Sequence, residues 1–82
     1  MMDRAEILAQ VQAVFVDILD NPAIVLKDET TAEDIMEWDS LSHIALVVAV
    51  EKQFAIRFTA REIQSWKNVG EMIDSIMAKK PA

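Results

Sequence analysis

Residues 40–54 read S-L-S-H-I-A-L-V-V-A-V-E-K-Q-F and contain the longest apolar run of the chain. The β-branched residues in this stretch favour a buried strand. Its length favours a helix, because apolar residues recur every three to four positions over the whole segment. We therefore predict a helix of about four turns, roughly 22 Å long, and expect part of its surface to face a partner, since apolar residues surround it almost completely. The stripe comprises Leu41, Leu46, Val47, Val50 and Phe54.

One principal helix and a long connection are predicted before this segment. Residues 4–19 carry apolar residues at the 3.6-residue period, and Asp3 with Glu6 resembles a capping box at their start. Residues 20–39 form a long loop that is rich in acids and holds a helical turn capped by Thr31. A loop of this length is either functional or packed onto the core by its own apolar residues. The apolar face of the predicted helix comprises Ile7, Leu8, Val11, Val14, Phe15, Ile18 and Leu19.

Two further helices are predicted after the apolar segment. Thr59 begins a short one that Ile63 and Trp66 anchor, and Asn68 caps a last principal helix. Lys79 and Lys80 lie near the end of the chain, where the helix dipole favours positive charge. The sequence thus predicts an all-α fold, a small four-helix bundle with three principal helices, one short helix and a long first loop. The last apolar face comprises Val69, Met72, Ile73, Ile76 and Met77.

The composition narrows the class of protein. With 82 residues the chain is expected to form one domain, residues 1–82. Its net charge of −6, from 14 acids and 8 bases, argues against a nucleic-acid partner and suits a basic protein partner. We find no signal peptide and no apolar run long enough to span a membrane, and we expect a cytoplasmic monomer.

The residues that catalysis needs are nearly absent. The chain has no cysteine, one glycine and a single histidine, His43. Ser40 and His43 lie about one helical turn apart, but no orienting acid and no oxyanion hole are evident. The acidic loop fails the EF-hand pattern, because Glu33 stands where that loop needs glycine. We therefore predict neither an enzyme nor a metal site.

Ser40 is the residue on which the functional prediction depends. A serine just before an apolar periodic segment is usually only a helix N-cap. The element Asp39-Ser40-Leu41, followed by S-H-I-A-L-V-V-A-V-E-K-Q-F, resembles the acyl carrier protein family, whose second helix begins at an Asp-Ser-Leu motif. Glu51 and Phe54 match the acid and the aromatic residue that follow in that family, and the resemblance covers most of the chain.

The resemblance implies that a phosphopantetheinyl transferase moves 4'-phosphopantetheine from coenzyme A to the hydroxyl of Ser40. The thiol of this arm then carries acyl groups as thioesters. An acyl-loading ligase or synthase and acyltransferases of fatty-acid, lipid or polyketide-type biosynthesis act on them. It also implies that Asp39 helps the transferase to recognise the site, and that Leu41 is part partner contact and part core. Unpaired N–H groups at the start of a helix favour a phosphate, which agrees with this position.

The second helix departs from the family where partner enzymes are recognised. Primary fatty-acid carriers of the family have several acids along this helix, whereas the comparable positions here hold Ser42, Ala45, Lys52 and Gln53, and Glu51 is the acid that remains. This difference indicates a specialised, free-standing member of the family. We expect Ala45 and Val48 to form an apolar docking surface. We expect His43 to be a surface histidine, with a contact to the phosphate or the arm as the alternative. We expect Trp38 to pack the loop onto the bundle. The predicted partner-binding residues are Ser42, His43, Ala45, Val48 and Glu51.

Two alternative functions remain open from the sequence. The first is an aminoacyl or peptidyl carrier, although such carriers usually have glycines before the motif. The second is a small helical protein-interaction module in which Ser40 only caps a helix. In the carrier interpretation, the space between the helices is expected to shelter an acyl chain. Phe15, Leu46, Val50 and Ile73 are expected to line it.

Overall fold

A computed structural model describes residues 3–79 as four α-helices and one short 3-10 helix. The helices are α1 (Arg4–Leu19), α2 (Ser40–Phe54), α3 (Ala60–Ser65) and α4 (Val69–Lys79), and the 3-10 helix is Ala32–Asp34. The described residues contain no strand, so the predicted all-α class and helix order are confirmed. The predicted position of Lys80, like both ends of the predicted domain, lies outside the described residues.

Local hydrogen bonds explain where the helices begin and end. Asp3 accepts the Glu6 N–H at 2.9 Å, Thr59 accepts the Glu62 N–H at 3.1 Å, and Asn68 accepts the Glu71 N–H at 2.9 Å. Each bond satisfies one of the N–H groups that the first turn of a helix leaves unpaired. At their C-termini, α1 and α2 end on left-handed residues, Asp20 and Ala55, with φ of 53° and 55°.

The core forms where α1, α2 and α4 meet. Residues spaced by three or four positions point inward from each helix, as the helical period requires. Ten of the core side chains are at most 2% exposed, so the space between the principal helices is filled. These ten are Ile7, Val11, Phe15, Leu46, Val50, Phe54, Val69, Met72, Ile73 and Ile76.

Three residues that the sequence placed on apolar faces are exposed instead. Leu41 is 79% exposed, Met77 41% and Ile18 38%. At 100° per residue, Leu41 points about 140° away from Leu46, so its placement on the core stripe was wrong. Ile18 lies in the last turn of α1. Met77 lies at the edge of its apolar face and contacts Arg4 through its sulfur at 3.7 Å.

The long first loop is packed onto the bundle. Its apolar side chains at Ile24, Leu26, Ile35 and Trp38 are at most 8% exposed. Its backbone also binds the start of α4, because the Val69 N–H donates to Thr30 O at 2.9 Å and the Gly70 N–H donates to Asp28 O at 2.8 Å. Of the two possibilities stated for such a loop, functional or packed onto the core, the structure shows the packing, which brings residue 38 next to the start of α2.

Candidate functional site

Asp39 is the residue that caps α2. Its Oδ1 accepts the Leu41 N–H at 3.0 Å and the Ser42 N–H at 2.9 Å. The Asp39 N–H in turn donates to Ser42 Oγ at 2.8 Å, which completes a capping box. The hydrogen bonds from Ser42, followed by that from Leu41, lower the pKa of Asp39, so this carboxylate is ionised at neutral pH. The interpretation of Ser40 as the N-cap is therefore wrong.

Ser40 is the first residue of α2, and its side chain is exposed. Within residues 3–79, no hydrogen bond engages its hydroxyl, whereas Ser42 donates to Glu37 O at 2.9 Å. The hydroxyl of Ser40 thus takes no part in the cap of α2. The expectation of unpaired N–H groups for a phosphate is only partly met, because the Asp39 carboxylate already occupies those of Leu41 and Ser42.

Three aromatic rings stand beside Ser40. The Trp38 indole packs edge-on against Phe15, with ring centroids 4.9 Å apart, which confirms that it anchors the loop to the bundle. On its other side, Trp38 stacks on His43 at 5.9 Å, and His43 meets the edge of Trp66 at 6.3 Å. The Trp66 indole N–H donates to Ser75 Oγ at 2.9 Å, which holds that ring in place.

His43 belongs to this aromatic cluster and is half-buried, so its prediction as a surface histidine was wrong. The Trp38 Nε1–H donates to His43 Nδ1 at 3.0 Å. A ring nitrogen accepts a proton donor only when it carries no proton, which assigns the neutral Nε2–H tautomer. Burial lowers the pKa of His43, which also favours the neutral ring. His43 therefore contributes no positive charge near Ser40 at neutral pH.

An open pocket of about 360 Å³ adjoins Ser40 and the aromatic cluster. Its walls include Trp38, His43 and Trp66, and Lys67, which is exposed, also lines it. Phe15, Leu46, Val50 and Ile73, which were expected to line a shelter for an acyl chain, are 0% exposed in the core, and none of them lines this pocket. The remaining lining residues are Ala32, Asp39, Ser40, Asn68 and Met72.

The outer face of α2 is apolar and uncovered. Leu41 is 79%, Ile44 64% and Val48 43% exposed, and Ala45 is exposed beside them. Ile44 was not among the docking residues predicted from the sequence, although its spacing of three from Leu41 and four from Val48 places it on their side of the helix. Ser42 and Glu51, which were also predicted to bind partners, have structural bonds. Glu51 accepts the Phe58 N–H at 2.8 Å and so holds the loop that follows α2.

Three acids of the first loop form hydrogen bonds or ion pairs. Asp28 pairs with Arg4 at 3.2 Å, Asp34 accepts the Thr31 N–H at 2.9 Å, and Glu37 accepts a bond from Asn21 at 3.0 Å. Within residues 3–79, no three acidic, histidine or cysteine side chains converge as metal ligands would. In the same part of the chain, no helix is both long and apolar enough to cross a bilayer.

Comparison with known proteins identifies the class of this site. The family model described as "Phosphopantetheine attachment site" matches residues 9–76, a range that contains α2, α3 and the whole pocket. The exposed hydroxyl of Ser40 fits such an attachment, because no other bond competes for it within the described residues. The fold and the site together define a phosphopantetheine-attachment domain.

Similarity to individual proteins identifies the family to which the chain belongs. An acyl carrier protein of Thermosynechococcus vestitus is 33% identical over 82 residues, which cover 99% of this chain and 100% of the relative. An acyl carrier protein of Acidothermus cellulolyticus is 29% identical, covering 92% and 89%. The solution NMR structure of a holo acyl carrier protein from Geobacter metallireducens is similar with a TM-score of 0.83 at 42% identity, covering 88% of this chain and 83% of that chain. The chain belongs to the acyl carrier protein family, and it carries acyl groups on a covalently attached 4'-phosphopantetheine.

Proposed function

We propose that Ser40 is the attachment residue and that the chain carries acyl thioesters without catalysing their chemistry. The observation that supports this most directly is that the residues around Ser40, and not Ser40 itself, form the cap of α2. Asp39 forms the cap, Ser42 closes the capping box, and the hydroxyl between them is exposed. A module that used Ser40 only as a cap would need its hydroxyl for the helix. That alternative therefore has no geometric support.

The side chains around Ser40 suit recognition by a phosphopantetheinyl transferase. Asp39 is ionised and exposed, so it offers a negative charge to a basic enzyme surface next to the hydroxyl that is modified. Leu41 is 79% exposed on the adjacent position, where it provides an apolar contact. Ser40, Asp39 and Leu41 thus act as a nucleophile, a charge and a contact for the same enzyme.

The attachment is tested by mass spectrometry. We expect incubation with coenzyme A and a broad-specificity transferase to add the mass of one phosphopantetheine to the wild type. Ser40→Ala should stay unmodified, whereas Ser65→Ala, a second exposed serine at the end of α3, should be modified as the wild type is. No added mass on the wild type, with a control carrier modified in the same tube, would falsify the proposal.

The partner surface is proposed to be the outer face of α2. Leu41, Ile44, Ala45 and Val48 are exposed there, and Glu51 is bound to the following loop, so contact with partners is more apolar than ionic. The partners proposed are the transferase, an acyl-loading ligase or synthase, and acyltransferases. We propose that they meet a single carrier domain, residues 1–82, that acts as a cytoplasmic monomer; the alignment with the Thermosynechococcus relative along its whole length supports one domain.

The docking proposal is tested with Val48→Glu. The new charge should raise the KM of the native loading enzyme, because an apolar contact is replaced by a carboxylate that must be desolvated. Gln64→Glu on α3 adds the same charge at an exposed position and should leave the KM unchanged. Both variants are first compared with the wild type by thermal unfolding. Equal KM values for the folded Val48→Glu variant and the wild type would contradict an apolar docking face.

A further inference from the structure

A phosphodiester on Ser40 would meet an electrostatic problem. The neighbouring Asp39 carboxylate is ionised, and it already accepts the N–H groups of Leu41 and Ser42. The start of α2 therefore presents a negative group where the anionic arm is attached. In addition, the chain as a whole carries a net charge of −6. A favourable position for the phosphodiester requires a positive group that lies close to Ser40 and is not already paired.

Lys67 meets both requirements. It lines the same pocket as Ser40, and the other titratable side chains of that pocket are Asp39 and the neutral ring of His43. Two other basic residues are already paired and do not line this pocket: Arg4 binds Asp28 and Asp74, at 3.2 and 2.6 Å, and Lys79 binds Glu62 at 2.9 Å. No ion pair involves the ammonium group of Lys67 within residues 3–79.

We propose that Lys67 pairs with the phosphodiester of the phosphopantetheine arm and directs the arm into the pocket between Trp38 and Trp66. This inference rests on the proposed attachment at Ser40. The arm would lie against the aromatic walls of the pocket and not along the exposed apolar face of α2. The face that is proposed to bind partner enzymes thus stays uncovered while the arm is docked.

The pairing is weak enough to be reversible. An ion pair between exposed groups changes an equilibrium by only about 1.5- to 5-fold. The arm therefore exchanges between a docked and a free position, which a carrier needs because its thioester must reach the active sites of other proteins. Screening weakens such a pair, so at about 1 M salt, where the Debye length falls to roughly 3 Å, the docked fraction should decrease.

The test compares the apo and holo forms by NMR. The chain has two tryptophans, and both line the pocket, so their two indole N–H signals report directly on its occupation. We expect attachment of the arm to shift both signals and the side-chain signals of Lys67. Lys67→Gln should reduce the indole shifts and move the phosphorus-31 resonance, and Lys67→Arg should restore both. Lys52→Gln, which removes an exposed lysine of α2 outside this pocket, serves as the matched control.

Each outcome distinguishes this inference from the proposed function. If mass spectrometry finds no phosphopantetheine on the protein, the proposed function fails before the pairing is tested. If the arm is attached but Lys67→Gln leaves the indole and phosphorus signals as they are in the holo wild type, the pairing is wrong and the attachment stands. Equal effects of Lys67→Gln and Lys52→Gln would also overturn it, because they would show a general charge effect.

Discussion

Gly70→Ala is a perturbation whose destabilising effect depends on the contact between the first loop and α4. Gly70 is the only glycine of the chain and lies in the first turn of α4. Its N–H donates to Asp28 O at 2.8 Å, and its carbonyl accepts a bond from Arg4 Nη2 at 3.1 Å. A Cβ at this position would lie 3.0 Å from Asp28 O, 3.2 Å from Asp28 Cβ and 3.3 Å from Asn68 Oδ1. The substitution therefore pushes the first loop away from α4.

Opposing effects set the size of the change that Gly70→Ala makes to the free energy of unfolding. Alanine is favoured over glycine inside a helix by about 1 kcal/mol. Overpacking costs about 1–3 kcal/mol, and weakening the hydrogen bond between Gly70 and Asp28 costs about 0.5–1.5 kcal/mol. The loop cannot shift freely, because the adjacent bond from Val69 to Thr30 holds it at 2.9 Å. We expect a net loss of about 0.5–3.5 kcal/mol, from a total stability of roughly 4–12 kcal/mol for a domain of this size.

Urea and thermal unfolding, followed by circular dichroism, measure this loss. A decrease of about 1 kcal/mol in the free energy of unfolding should lower the melting temperature by about 4–8 °C. The matched control is a synthetic peptide of residues 67–79, in which the same substitution should increase helix content, because only the intrinsic propensity acts there. If Gly70→Ala stabilises the whole protein as it stabilises the peptide, the reasoning about contact between the loop and α4 is refuted.

Two other predictions concern the core and the aromatic cluster. Leu46→Ala should destabilise the fold by about 2–5 kcal/mol in urea unfolding, because the side chain is fully buried; a negligible loss would contradict its place in the core. Burial lowers the pKa of His43, so the unfolded chain binds a proton at higher pH than the folded chain does. Stability should therefore fall as the pH drops below about 6.5 and stop falling, for this group, below the lowered folded pKa. His43→Gln should flatten that part of the pH profile, and an unchanged profile would show that His43 does not contribute.

Much of the fold was predictable because it depends on neighbours in the chain. The boundaries of the principal helices follow from the apolar period and from caps such as Asp3 and Asn68, which bond to residues three positions away. The exposure of Leu41 was also implicit in the sequence, because the helical angle between it and Leu46 is a matter of counting. The Asp-Ser-Leu element indicated the family, which the comparisons confirm.

The details of the site required the tertiary structure. Asp39 and Ser40 are both good N-cap residues, so the sequence could not decide between them. The backbone geometry assigns the cap to Asp39 and frees the Ser40 hydroxyl. Likewise, no local pattern indicates that Trp38 donates to His43, or that the pocket brings Lys67 to the same opening as Ser40.

One physical cause explains why some features could be predicted from the sequence and others could not. The sequence by itself determined the features that arise within a helical turn: the period of the apolar residues, the capping hydrogen bonds and the motif at the start of α2. Only the tertiary structure decided which side chains meet across the bundle, because those contacts depend on how three buried faces and a long loop fill the same space. The pairing of Gly70 with Asp28, 42 residues apart in the chain, is a contact of this second kind.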